Sequence, residues 1–165
     1  MKREPSFTTL LLAGCLFATN SNAATSAPDP HERLGFFAGL WTVRNSEATY
    51  TETCEWLSNN SFLVCKAEDT DSKDPGTSVS IFGYSPEDQT YTYAGFDSSG
   101  SSRNLRGWFN GKSWVFTGQR ERGVTSPRWQ ITITPTEAGF HFREDTSQNG
   151  AAWATTVEVD YLRKK

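Results

Sequence analysis

From Trp41 onward, short runs of alternating apolar and polar residues are broken roughly every eight to twelve positions by turn residues. The pattern predicts two strands, or one long bent one, within 42–55. Further strands are predicted over 61–68, 77–84, 89–96, 102–109, 113–120, 128–134, 140–146 and 152–163, about ten in all. Ser85-Pro86-Glu87-Asp88, Asp97-Ser98-Ser99-Gly100 and Thr136-Glu137-Ala138-Gly139 read as turns, and Asn110-Gly111 and Asn149-Gly150 as hairpin signals. Only 29–37 reads as helical, a short turn with Asp29 as N-cap and Pro30 at the first helical position.

Short turns make consecutive strands antiparallel, so a meander is the simplest topology. A ten-strand meander must hide its edges, and closure into a barrel does so completely. The expected fold is therefore all-β: an up-and-down antiparallel barrel over 36–165, preceded by an N-terminal segment over 24–35. Alternation puts Trp129, Ile131 and Ile133 on one face, and sets Phe140 and Phe142 opposite His141 and Arg143. It groups Trp153, Val157, Val159, Tyr161 and Arg163 in the last strand. Around Ser80-Ile81-Phe82-Gly83-Tyr84 it leaves inside and outside open.

Cys54 and Cys65 bracket a hairpin turning on Asn59-Asn60, which sets Trp56 opposite Leu63 and Cys54 opposite Cys65. A four-residue loop from Ser58 to Ser61 places the cysteines at a non-hydrogen-bonded pair, where side chains approach closely. In an oxidising compartment they form a cross-strand disulfide. Their spacing is not that of a redox motif, and two sulfurs alone make a poor zinc site.

The first residues stand apart from this pattern. Lys2 and Arg3 precede an apolar run through Phe17-Ala18, then polar and small residues as far as Ala23-Ala24. This order is that of a secretory signal peptide over 1–23, and the run is too short for a membrane span. Leu12-Ala13-Gly14-Cys15 offers a competing route, lipidation at Cys15, but the apolar stretch runs on through that cysteine. Export to the periplasm is expected on either route. The 165 residues carry a net charge of −3 and no dense basic cluster, which argues against nucleic acid as a partner. Length and composition point to one domain, and a monomer is expected.

Phe37-Ala38-Gly39-Leu40-Trp41 ahead of the first strand, the meander, and the terminal Tyr161-Leu162-Arg163 resemble the calycin superfamily of lipocalins, fatty-acid-binding proteins and nitrobindins. The chain is also similar to a bacterial family of exported proteins of uncharacterised function. That likeness rests on Gly39-x-Trp41, Gly83-Tyr84, Tyr91 to Gly100, Gly107-Trp108 and Trp153 to Arg163. The resemblance implies a barrel fold and names no activity. By analogy with lipocalins it casts Trp41 and Arg163 as barrel closure, making the Phe36–Trp41 stretch a floor. Fatty-acid-binding proteins hold a carboxylate with Arg-x-Tyr; here the order is reversed and Arg163 stands near the end of the sequence, which favours closure over anion capture. Nitrobindins bind haem through a histidine, but Thr42-Val43-Arg44-Asn45-Ser46 lacks their glycine-rich start and His141 falls on a polar face. Haem at His141 is disfavoured, and no cofactor is expected.

Other candidate chemistry has plainer readings. The acidic run Glu68 to Asp74 lacks calcium-loop spacing and contains Lys73. Arg120, Arg122 and Arg128 are spread out, with Glu121 between them. No nucleophile elbow, metalloprotease motif or phosphate-cradling loop is found, so the sequence leans against an enzyme. Carboxylate-only catalysis stays open until the inward acids are known.

The leading expectation is non-catalytic binding of a small, largely apolar molecule, with Tyr91, Tyr93, Trp108, Trp114, Phe116 and Trp129 as wall residues. The alternative is an aromatic-filled barrel acting through its outer surface as an envelope partner. A cavity above about 300 Å³ favours the first and a packed interior the second. An inward carboxyl with a strongly raised pKa favours catalysis.

Overall fold

The computed structural model describes residues 28–71, 73, 75–119, 127–148 and 151–165. The signal-peptide and Cys15 readings, Arg120, Arg122, and the Asn149-Gly150 turn fall outside the described residues.

The chain forms a closed antiparallel barrel of ten strands. In chain order they are β1 (Gly39–Val43), β2 (Tyr50–Trp56), β3 (Phe62–Asp69), β4 (Gly76–Ser85), β5 (Thr90–Asp97), β6 (Ser102–Phe109), β7 (Trp114–Gln119), β8 (Arg128–Pro135), β9 (Gly139–Ser147) and β10 (Ala154–Arg163). Each strand pairs with its sequence neighbours, and β1 joins β10 through Trp41↔Arg163, Thr42↔Leu162 and Val43↔Tyr161. No edge is left open, which is how an exposed row of amide and carbonyl groups is avoided.

Helix α1 (Pro30–Leu34) and a following 3-10 turn (Gly35–Phe37) close one end. Asp29 caps α1 through Oδ1, which accepts from the His31 amide at 2.8 Å, and Pro30 needs no donor at that position. Phe37 stacks on Phe82 with ring centres 4.9 Å apart, and Phe36 stacks on Trp114 at 5.5 Å. Leu34, Phe37, Trp41, Phe116 and Ile131 are all but inaccessible to solvent. Fully burying each such side chain contributes about 1.5–3 kcal/mol, so the plugged end is where the core is anchored.

The Cys54–Cys65 disulfide joins paired positions of β2 and β3. Leu57 N–H donates to the Phe62 carbonyl across a loop of Ser58 to Ser61, so the cysteines fall at a non-hydrogen-bonded pair. Asn59 and Asn60 take the left-handed conformation (φ 71° and 52°) that their short polar side chains tolerate.

The last strand departs from simple alternation. A bulge between Thr155 and Val157 shifts the register against β9. Thr155 pairs with Asp145 and bonds its carboxylate, while Val157 returns to the interior opposite Glu144. The extra residue reverses the phase, so Trp153 does not share the inner face of Val157, Val159 and Tyr161. It lies half-exposed before β10, with the Arg128 guanidinium 5.3 Å from its ring centre. Around residues 80–84, Phe82 is buried inside and packs on Tyr93.

Candidate functional site: a half-filled barrel with an acidic wall

The aromatic plug fills the barrel only partway. Beyond it lies a cavity of about 250 Å³, with Phe37, Phe82, Phe140, Phe142 and Ile133 among its apolar walls. This is neither a packed interior nor a space above the 300 Å³ mark. A second cleft of about 290 Å³ shares Tyr50, Ser78 and Asp97 with it and lies against the β3–β4 and β5–β6 loops. The two spaces are neighbours, and the cavity is reached from the end opposite α1.

Polar side chains enter the cavity because inward alternation continues up each strand past its aromatic. On β2, Tyr50 and Glu52 share the face of Cys54 and Trp56. The Tyr50 hydroxyl donates to Glu52 Oε2 at 3.0 Å, and the Tyr161 hydroxyl lies 3.0 Å from that of Tyr50. Tyr50 has one proton and gives it to Glu52, so Tyr161 donates to Tyr50. The result is a relay Tyr161→Tyr50→Glu52 on the cavity wall. Burial holds the Glu52 carboxyl above its ordinary 4.5, with the neighbouring Tyr50 and Tyr161 hydroxyls opposing this. Burial and the nearby Glu52 carboxyl push both tyrosine hydroxyls well above 10.

Farther up the wall, Arg103 donates to Glu144 Oε1 at 3.3 Å and approaches Asp97 at 4.0 Å. Thr156 Oγ1 also donates to Glu144, at 3.1 Å. Tyr93 and Ser80 hydroxyls lie 3.1 Å apart, and burial raises the Tyr93 pKa. Among the described lining residues Arg103 is the single cation, against the carboxyls of Glu52, Asp97 and Glu144.

The residues singled out from sequence occupy different places. Tyr93 lines the cavity. Tyr91 sits at the plugged end, where its hydroxyl accepts from Arg33 at 3.3 Å. Trp114 and Phe116 are buried in the core packing and Trp129 is half-buried near Arg103, none of them among the cavity-lining residues. Trp108 is 52% exposed because Gly107 takes the buried position beside it. The Arg163 guanidinium lies 4.1 Å from the Trp41 ring centre and donates to the carbonyls of Ala38 and Phe36. His141 is on the outer wall between Asp160 (2.9 Å) and Glu158 (3.2 Å). Glu52, Cys54 and Cys65 are close enough to suggest a metal, but the disulfide commits both sulfurs.

Glu52, Arg103 and Glu144 were not singled out from sequence. A usable signal was present: Cys54 fixes the inner face of β2, and stepping back by two reaches Glu52 and Tyr50. The same step from Phe140 and Phe142 reaches Glu144.

No family model and no curated protein matches the chain. The closed ten-strand meander is compatible with a calycin-like barrel, and among the described residues no helix is long and apolar enough to cross a membrane.

Proposed function

We propose that this is an exported, non-catalytic barrel that binds a small, largely apolar molecule in the cavity above its aromatic plug. The single observation behind this reading is the partly empty interior. A chain with eleven phenylalanines and six tryptophans leaves about 250 Å³ unfilled beside three carboxyls and an arginine. A barrel built only for stability gains by filling such space with side chains. The leader-like opening of the sequence and the disulfide support export. The calycin resemblance supports a carrier and leaves the cargo open.

Native mass spectrometry of the protein purified from its own compartment tests the reading. A reproducible small-molecule adduct, lost on denaturation, is the expected result. A clean apo mass, joined with unchanged behaviour of a Ser78→Trp variant that blocks the cavity, overturns it and favours an outer-surface role.

The Glu52 carboxyl, raised by burial beside open space, favours one second reading: proton transfer to or from a bound substrate. Turnover of the adduct molecule by wild type but not by Glu52→Gln would select it.

A further inference from the structure

Glu52 differs from the other two carboxyls of the cavity. Glu144 accepts from Arg103 Nη2 at 3.3 Å and Asp97 lies 4.0 Å from its Nη1, so that guanidinium faces two carboxyls, although its buried Nε has no hydrogen-bond partner among the described residues. Glu52 faces only neutral hydroxyls, accepting from Tyr50 with Tyr161 beside it, and among the described lining residues no cation remains for it. Its Oε1 has the Cys54 sulfur 3.9 Å away and no N–H or O–H donor among the described residues. The walls around this end are aromatic: Phe82 and Tyr93 on adjoining strands, Phe140 and Phe142 across the barrel.

We infer that the bound molecule carries a cationic head: the cavity takes a small primary or secondary amine with a compact apolar, preferably aromatic, body, its ammonium set against Glu52. This deepens the binding reading above and rests on it. Three features point the same way. An ammonium supplies Glu52 with the N–H donors and the counter-charge that the described residues do not provide. Nearby aromatic rings attract a cation through their quadrupoles, and the more strongly where water is excluded. A carboxylate ligand would meet three carboxyls and one arginine already shared between two of them, an excess of negative charge that repels it. Burial of Glu52 without a counter-ion is a cost of the empty protein, and an incoming cation offsets it.

A charge series on one skeleton tests this by isothermal titration calorimetry near neutral pH: 2-phenylethylamine, 2-phenylethanol and 3-phenylpropionate. Wild type and Glu52→Gln are compared as full folded proteins, with circular dichroism and tryptophan fluorescence verifying the variant's fold. The expected order in wild type is amine over alcohol by about tenfold or more, with the carboxylate weakest, as a charged hydrogen bond implies. Glu52→Gln should bring the amine down to the alcohol and leave the alcohol within about twofold. If the variant does not fold, Tyr50→Phe, which frees Glu52 Oε2, is used instead, and the amine preference should persist. An alcohol or carboxylate bound as tightly as the amine overturns the inference and leaves the binding reading standing. Equal amine preference in Glu52→Gln also overturns it. Failure of all three probes sinks the amine assignment, while the binding reading is decided separately by the native mass spectrum.

Discussion

One fork of Arg163 holds the two ends of the fold together: Nη1 and Nη2 each donate at 2.7 Å, to Ala38 and Phe36, while the guanidinium carbon lies over Trp41. Trp41 in turn donates its indole N–H to the Phe37 carbonyl at 2.7 Å. Arg163→Ala should therefore destabilise the protein by about 2–3 kcal/mol in urea unfolding, from lost charged hydrogen bonds and cation–π contact. Arg163→Lys should recover only part, because one ammonium cannot fork to both carbonyls from above the ring.

Gly39 couples to the same device. Its φ is +129°, and a Cβ there would lie 2.6 Å from Arg163 Nη1. Gly39→Ala should cost stability both through backbone strain and by displacing the guanidinium. Combined with Arg163→Ala, the loss should fall clearly short of additive in a double-mutant cycle. Strict additivity would show that the two residues act separately.

Reduction of Cys54–Cys65, or its replacement by two alanines, should lower stability by about 3 kcal/mol, the value expected for closing a loop of this size. Sequence separation is only eleven, so the gain is that of a short staple. Equal unfolding midpoints with and without reductant would contradict it.

Glu52 and Asp145 should imprint opposite pH dependences on stability. Glu52 binds its proton more tightly in the folded state than in the unfolded chain. The unfolded state therefore ionises first, and stability contributed by this group falls as pH rises above about 4.5 towards the folded-state value. Glu52→Gln should be more stable than wild type at neutral pH, with the difference vanishing at acid pH. Urea melts across that range, made with and without the substitution, decide the point.

Asp145 runs the other way. Desolvation pushes its carboxyl up, but the Arg143 fork and the Thr155 hydroxyl together outweigh that and hold it below 3.8. Its stabilising contribution is complete above that value and fades as pH falls through the folded-state pKa. Asp145→Asn should lower the unfolding midpoint at neutral pH and make little difference in strong acid. The opposite sign would mean that burial dominates.

Strand number, order and the helical cap were legible because each depends on local patterning: alternation, turn residues, and Asp29-Pro30 at the helix start. The cysteine register was legible too, since the loop from Ser58 to Ser61 sets every pair above it. The placement of Trp153 was not, because one bulged residue between Thr155 and Val157 reverses the faces and leaves no mark in composition. The cavity was the least legible feature. Aromatic content suggested walls, yet Trp114 and Phe116 went into the plug side of the core while Glu52 and Glu144, whose facing the sequence leaves open, went inside. Whether an inward residue borders space or packing depends on how far Phe36 and Phe37 reach, and that is a property of the closed barrel rather than of any one strand.

The plug formed by α1 and the 3-10 turn makes the barrel a cup rather than a tube. On the binding reading proposed above, a guest would arrive and leave by the same route, and whatever narrows the rim would slow both passages by the same factor. Bulk added at Thr77 or Ser98, which line the neighbouring cleft and not the cavity, would lengthen residence and delay loading together, leaving the equilibrium unchanged. On that reading the rim would set the exchange clock, while the deep wall at Glu52 would set the preference.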